Sequence, residues 1–93
     1  MNMCDIATQM KNSELPLLKG ILLLRDLSWK ALKDDDDLHL RISGIDSQID
    51  HLAYFIENPE NAPAERVDEI SKRTEFFKEN ILIICDEILA RGI

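Results

Sequence analysis

The chain has 93 residues, a formal net charge of −7, 45% hydrophobic residues, and only three glycines and three prolines. Its length predicts a single domain, and the shortage of turn-forming residues argues against an all-β fold. With 18 acidic against 11 basic residues it lacks the clustered Lys and Arg that phosphate contacts need, so we expect no direct binding to nucleic acid.

The N-terminal segment, residues 1–12, is ambiguous. Met3, Ile6 and Met10 recur at spacings of three and four, which suits a short helix or an arm that docks on a neighbouring surface. A frayed terminus is the competing interpretation. Ser13 offers an N-cap for the helix that follows.

The first long helix is predicted over residues 14–33. Its apolar residues cover a wide arc, more than one neighbouring helix would bury, and Leu23 and Leu27 fall outside the main face. Gly20 either weakens this helix by about 1 kcal/mol relative to Ala or lets another backbone approach closely.

Four consecutive aspartates, residues 34–37, connect this helix to the next. They lack the alternating ligands, central Gly and terminal Glu of an EF-hand loop, so no metal site is predicted there. We expect a sharp connection whose last aspartate caps the following helix.

The second long helix is predicted over residues 37–57 and has the clearest heptad pattern of the chain. His39 and His51 lie about 120° apart around it, so they cannot hold one ion together. Each is predicted to lie at the surface or at its boundary. The apolar positions of the heptad are Leu38, Ile42, Ile45, Ile49, Leu52 and Ile56.

The third long helix, predicted over residues 63–91, is the element on which the others are expected to pack. A second apolar row, formed by Leu82, Cys85 and Leu89, lies beside its main seam, and Ile83 lies further round. The main seam repeats at alternating spacings of three and four and consists of Val67, Ile70, Thr74, Phe77, Ile81, Ile84 and Ile88.

These elements predict an all-α fold: an up-down-up three-helix bundle with coiled-coil-like, heptad-like seams, in one domain over residues 1–93. Apolar surface beyond what such a bundle buries predicts a homodimer, since soluble monomers rarely expose large apolar patches. In the alternative, the N-terminal arm folds back over this surface as a lid. The residues predicted at the interface are Leu23, Leu27, Leu82, Ile83, Cys85 and Leu89.

No catalytic, cofactor or metal motif is present, so the sequence predicts a protein that is not an enzyme. Cys4 and Cys85 have no motif spacing, and neither a signal segment nor a membrane-spanning run is recognisable. A cytoplasmic location without membrane association is therefore expected.

The preferred function is a protein-binding module of the adaptor, chaperone, immunity-factor or inhibitor type, acting through an apolar helical surface. The rival hypothesis is an acidic mimic of nucleic acid that blocks the basic groove of a DNA- or RNA-binding protein. A structural subunit of a larger assembly is the third possibility. Salt dependence separates the first two, because a complex held by carboxylates weakens steeply with ionic strength.

Overall fold

A computed structural model describes residues 1–93, and it contains helices and turns but no strand. The prediction of an all-helical fold is therefore confirmed. The three-helix arrangement undercounts the helices, because the N-terminal segment is itself helical. The α-helices are α1 (Met3–Lys11), α2 (Leu17–Ala31), α3 (Asp37–Ile49), α4 (Ala53–Glu57) and α5 (Ala64–Arg91), with 3₁₀ turns at Asp50–Leu52 and Pro59–Asn61.

Helix α1 is held at its start by a reciprocal pair of hydrogen bonds. The side chain of Asn2 accepts from the backbone N–H of Asp5, and the Asp5 carboxylate accepts from the backbone N–H of Asn2, at 2.9 and 3.1 Å. Met3, Ile6 and Met10 are each no more than 2% exposed. The segment is thus a packed helix, and the frayed-terminus interpretation is wrong.

The connection between α1 and α2 turns at Ser13, whose φ of 60° lies in the left-handed region. The N–H of Glu14 donates to the carbonyl of Gln9, and the N–H of Ser13 to that of Met10, which together close the end of α1. Pro16 occupies the N-cap position of α2 and provides no side-chain cap. Ser13 therefore ends one helix instead of starting the next, contrary to the prediction.

Gly20 of α2 lies directly under the side chain of Met10. A methyl group at position 20 would lie 2.3 Å from Sδ of Met10, far inside van der Waals contact. The missing side chain of Gly20 therefore makes room for a side chain of α1. The sequence had suggested instead that the backbone of a neighbouring segment approaches here. The contact between Met10 and Gly20 fixes how α1 crosses α2.

The aspartate run caps α3 one residue earlier than predicted. Asp36, not Asp37, accepts from the N–H of Leu38 at 2.9 Å. Arg91, near the end of α5, donates to both carboxylate oxygens of Asp36, at 2.9 and 3.2 Å. The start of α3 is thereby tied to the end of α5.

The predicted second helix is interrupted, because α3 ends at Ile49 and a 3₁₀ turn separates it from α4. The turn brings His51 next to Glu69 of α5, with Nε2 and Oε2 2.6 Å apart. The burial pattern of the heptad survives the break. All six of its apolar positions are at most 9% exposed: Leu38, Ile42, Ile45, Ile49, Leu52 and Ile56.

Helix α5 is the longest element, and its main seam is buried only from Phe77 onward. Val67, predicted as the first residue of that seam, is 53% exposed, and the next two seam residues, Ile70 and Thr74, are only half-buried. Gly92 ends the helix with a φ of 72°, a left-handed conformation that favours glycine. The core consequently lies around the C-terminal half of α5.

Candidate interaction surface

A groove of about 340 Å³ runs along the surface between α3 and α5. We call it the α3–α5 groove. Its apolar wall comes from the seams of the two helices, and its polar lining includes the side-chain amides of Gln48 and Asn80. Apolar walls with a few polar groups are typical of binding sites. The residues that line it are Arg41, Gly44, Ile45, Gln48, Phe77, Asn80, Ile83 and Ile84.

Gly44 leaves the α3 side of this groove open. It lies in the middle of α3, is exposed, and has no atom within 4 Å of the position that a Cβ would occupy. Gly inside a helix lowers its stability by about 0.5–1 kcal/mol relative to Ala. The Met10 side chain against Gly20 and the positive φ of Gly92 each favour glycine, whereas nothing within the chain favours it at position 44.

Two apolar side chains on one face of α5 are exposed, one in this groove and one in a separate depression lined by Lys72 and Arg73. Ile83, which lines the α3–α5 groove, is 51% exposed, and Phe76, two helical turns earlier on the same face, is 72% exposed. Glu79 lies between them on that face, is exposed and forms no ion pair. An apolar contact surface next to an unpaired negative charge suits a partner that is apolar on one side and basic at its flank.

Alternating charges bridge α3 and α5 at one end of the groove. Arg41 donates to Asp37 over 2.8 Å and also pairs with Glu87. Arg91 lies 2.8 Å from Glu87 and 2.9 Å from Asp36. The hydrogen bond from Arg41 to Glu87 raises the pKa of the Arg41 guanidinium. Because its charge is already compensated, Arg41 offers no free site for an anion.

The six residues predicted at the interface do not form one surface. Helix α1 packs against α5 and α2, leaving Leu23 36% exposed and Leu89 38% exposed, with Leu27 and Leu82 half-buried. Ile83 belongs to the α3–α5 groove instead. Cys85 is 0% exposed and so does not belong to any surface.

Cys85 is covered by α1, and its thiol donates to the Met10 sulfur over 3.9 Å. Burial, with a smaller contribution from the charge of Asp86, raises the pKa of Cys85 to about 11. The side chain therefore remains a neutral thiol at physiological pH and acts as a packing residue.

A small polar cluster is buried between α2 and α3. The Ser28 hydroxyl donates to the carbonyl of Arg25 at 2.9 Å and lies 2.8 Å from Nδ1 of His39. Since a hydroxyl has one hydrogen, Nδ1 of His39 must donate to Ser28. Trp29 contacts the His39 ring edge-on, with centroids 4.6 Å apart. His39 is only 3% exposed, which corrects its predicted surface position.

Asp46, about two helical turns after His39 on α3, is also buried, at 7% exposure. Its nearest cation is Arg25, whose Nη1 lies 3.7 Å from Oδ2, while Oδ1 has no hydrogen-bond partner. Burial raises the pKa of the Asp46 carboxyl, and the Arg25 charge partly opposes that shift. The Ser43 hydroxyl nearby is likewise without a partner. Helical spacing alone does not reveal this burial, because it does not show that α2 packs beside Asp46.

The buried groups do not form a catalytic arrangement, since Ser28 is 0% exposed and a substrate has no path to its oxygen. No three His, Cys, Asp or Glu side chains lie close enough together to hold a metal ion. The α3–α5 groove is one of several surface depressions of similar volume, and the exposed glycine in its wall distinguishes it.

Comparison of the chain with protein families, curated proteins and solved structures finds no match. None of the helices combines the length with the apolar character that crossing a membrane requires.

Sequence reasoning did not identify the groove, although two signals pointed to it. One is Gly44, a glycine in the middle of a strong heptad pattern. The other is the pair Phe76 and Ile83, seven residues apart and outside the seam of α5. Large apolar residues repeating on the polar face of a helix indicate a second contact surface.

Proposed function

We propose that the chain is a non-enzymatic protein-binding module whose α3–α5 groove receives an amphipathic helix of a partner protein. The observation that carries the proposal is Gly44. An exposed glycine in mid-helix lowers stability and serves no contact within the chain, but it lets a partner helix approach the α3 backbone closely.

The chemistry of the groove supports a helical partner. A groove between two helices accepts a third helix, whose apolar residues at i, i+3 or i+4, and i+7 contact both walls. The exposed Ile83 and Phe76 extend the apolar contact along α5. The amides of Gln48 and Asn80 provide hydrogen bonds at the rim.

Charge sets the expected chemistry of the partner's flanks. The chain carries a net charge of −7, and Glu79, which precedes the groove residue Asn80 in the sequence, forms no ion pair. Basic residues at the edge of the partner helix would speed association, while the apolar contacts hold the complex. Binding should accordingly depend only weakly on salt. A steep dependence would favour the acidic nucleic-acid mimic instead.

The proposal is tested with a synthetic amphipathic peptide of Leu and Lys, titrated into isotope-labelled protein and followed by NMR. Shift changes should concentrate on Gly44, Gln48, Asn80 and Ile83. Gly44→Leu should weaken peptide binding at least ~10-fold by filling the groove, which corresponds to about 1.4 kcal/mol. Gly44→Ala is the matched control, since it restores helix propensity while adding only one methyl group.

A second pair of variants controls for general loss of apolar surface. Ile83→Gln should weaken binding, whereas Val67→Gln should not, although both residues are β-branched, lie on α5 and are 51% and 53% exposed. Shift changes that map to another face, or equal binding by Gly44→Leu and the wild type, would contradict the proposed site.

A further inference from the structure

Helix α1, the first helix in chain order, is seated in a trough formed by α5 and α2. Its buried face meets the thiol of Cys85 and the bare backbone of Gly20. At the edges of the contact between α1 and α5, Lys11 forms an ion pair with Asp86, and the Cys4 thiol donates to the carbonyl of Ile88 at 3.6 Å. The contacts with Cys85, Asp86 and Ile88 link α1 to α5, at the other end of the chain, so the chain that supplies α1 need not be the chain that supplies α5.

The segment that joins α1 to α2, residues 12–16, is short and strained. Ser13 adopts a left-handed φ of 60°, which costs energy in any residue that carries a Cβ. Pro16 starts α2 without a side-chain hydrogen bond to its first N–H groups. Short hinges under strain favour the exchange of a terminal element between identical chains, because the open hinge relieves the strain.

The trough cannot be left empty in water. Without α1 it would expose Cys85, now 0% exposed, together with the face of α2 at Gly20 that the Met10 side chain covers. The result would be a contiguous apolar patch. A departing α1 must therefore be replaced, and the segment with the matching shape is the α1 of a second copy.

We propose that two copies of the chain exchange their α1 helices, each filling the trough of the other in a reciprocal dimer. The contacts of Met10 with Cys85 and of Lys11 with Asp86 are then made between chains instead of within one. The α3–α5 groove lies elsewhere on the molecule and stays open, so this inference is independent of the proposed binding function.

The first experiment uses the wild-type chain. Copies labelled with ¹⁵N and unlabelled copies are mixed at high concentration, incubated, and treated with a carbodiimide, which couples the Lys11 amine to the Asp86 carboxylate as an amide while the reagent takes up the water. Exchange predicts crosslinked Lys11–Asp86 peptides that contain one labelled and one unlabelled half. Crosslinks in which both halves always carry the same label would overturn the proposal.

The second experiment changes the hinge. Deleting Glu14 shortens the connection, so that α1 no longer reaches its own trough, and the molar mass measured by light scattering should double from 10.7 kDa. Inserting several Gly and Ser residues after Ser13 is the matched control, which should stay monomeric. If the Glu14 deletion folds, as judged by circular dichroism, and remains at the mass of one chain, reciprocal exchange is ruled out. If it fails to fold, the isotope mixing of the wild type still decides.

Discussion

The thiol of Cys85 on α5 donates a hydrogen bond to the thioether sulfur of Met10 on α1 over 3.9 Å. This contact places the N-terminal helix on the apolar row of α5 that the sequence assigned to a dimer interface. Met10 also fills the space above Gly20 of α2. One methionine therefore connects three helices, and much of the surplus apolar surface is covered within the chain.

The Met10–Gly20 contact gives a first prediction. Gly20→Ala should lower the free energy of unfolding by about 1 kcal/mol, because the methyl group must displace the buried Met10 side chain. In a Met10→Ala background the same change should raise it by about 0.5–1 kcal/mol, since only the helix propensity of Ala remains. Urea denaturation of the four proteins in this cycle measures the coupling. Equal effects in both backgrounds would show that the two residues do not interact.

Deletion of residues 1–12 tests whether α1 belongs to the core. The change removes Met3, Ile6 and Met10, and full burial of each such side chain contributes about 1.5–3 kcal/mol. A domain of this size has about 5–15 kcal/mol in all, so the truncated chain should unfold or aggregate. Solubility and a thermal melt followed by circular dichroism provide the readout. The isosteric variant Ile6→Leu should behave nearly as the wild type, and a fully stable truncation would contradict the packing.

How far the sequence predicts this fold can be judged from α1. Its capping pair Asn2 and Asp5, three residues apart, and the spacing of Met3, Ile6 and Met10 are both local signals, and together they identify a helix. They do not establish that the helix is stable, because nine residues form a marginal helix in isolation. What stabilises it is the tertiary contact with α5 and α2, which no local pattern reveals.

The polar residues of α3 show why the candidate site was harder to predict. His39 and Asp46 carry charges or hydrogen-bonding groups that usually lie at the surface, yet they are 3% and 7% exposed. They are buried because α2 packs along that side of α3, and Ser28 of α2 satisfies the His39 ring. Gly44, by contrast, is exposed although Ile42 and Ile45 close to it in the sequence are core residues. The side of a helix that a neighbour covers depends on topology, which the heptad pattern does not specify.

The cap of α3 gives a third prediction, which separates two neighbouring aspartates. Asp36→Ala should lower the melting temperature by several degrees, because it removes both the N-cap of α3 and the partner of Arg91. Asp35→Ala is the control and should be nearly silent, since Asp35 is exposed and makes neither contact.

The Asp36 effect should depend on pH in a defined direction. The hydrogen bond from Arg91, followed by that from the Leu38 N–H, holds the pKa of Asp36 below its ordinary value of 3.8. The ionised Asp36 carboxylate therefore contributes stability that is fully present above pH 3.8. This stability is lost as the pH falls through the pKa of Asp36 in the folded protein. The difference in melting temperature between wild type and Asp36→Ala should therefore shrink in strong acid. A difference that stays constant would assign the whole effect to causes other than the ionised carboxylate.

The strained hinge gives a fourth prediction. Ser13→Gly should raise the free energy of unfolding by about 0.5–1 kcal/mol, because glycine adopts the observed φ of 60° without a clash of Cβ. Ser13→Val should lower it, since a β-branched residue is the least suited to that conformation. Chemical denaturation of the two variants beside the wild type measures both changes. Stabilisation by valine would show that the left-handed turn is not retained.

The last prediction concerns Asp46, whose burial and incomplete pairing should destabilise the fold at neutral pH. Because the pKa of Asp46 is raised above 3.8, protonation favours the folded state. The stability that protonated Asp46 contributes is fully present below pH 3.8 and is lost as the pH rises through the pKa of Asp46 in the folded protein. Asp46→Asn should accordingly raise the melting temperature at pH 7 by roughly 2–5 °C and change it little near pH 3.

Arg25 is the one cation nearby, and its Nη1 lies 3.7 Å from the Asp46 carboxylate, longer than a good hydrogen bond. Arg25→Gln should lower the melting temperature at pH 7 in the wild type but much less beside Asp46→Asn. A lower melting temperature for Asp46→Asn at pH 7 would mean that attraction to Arg25 outweighs the desolvation of the carboxylate.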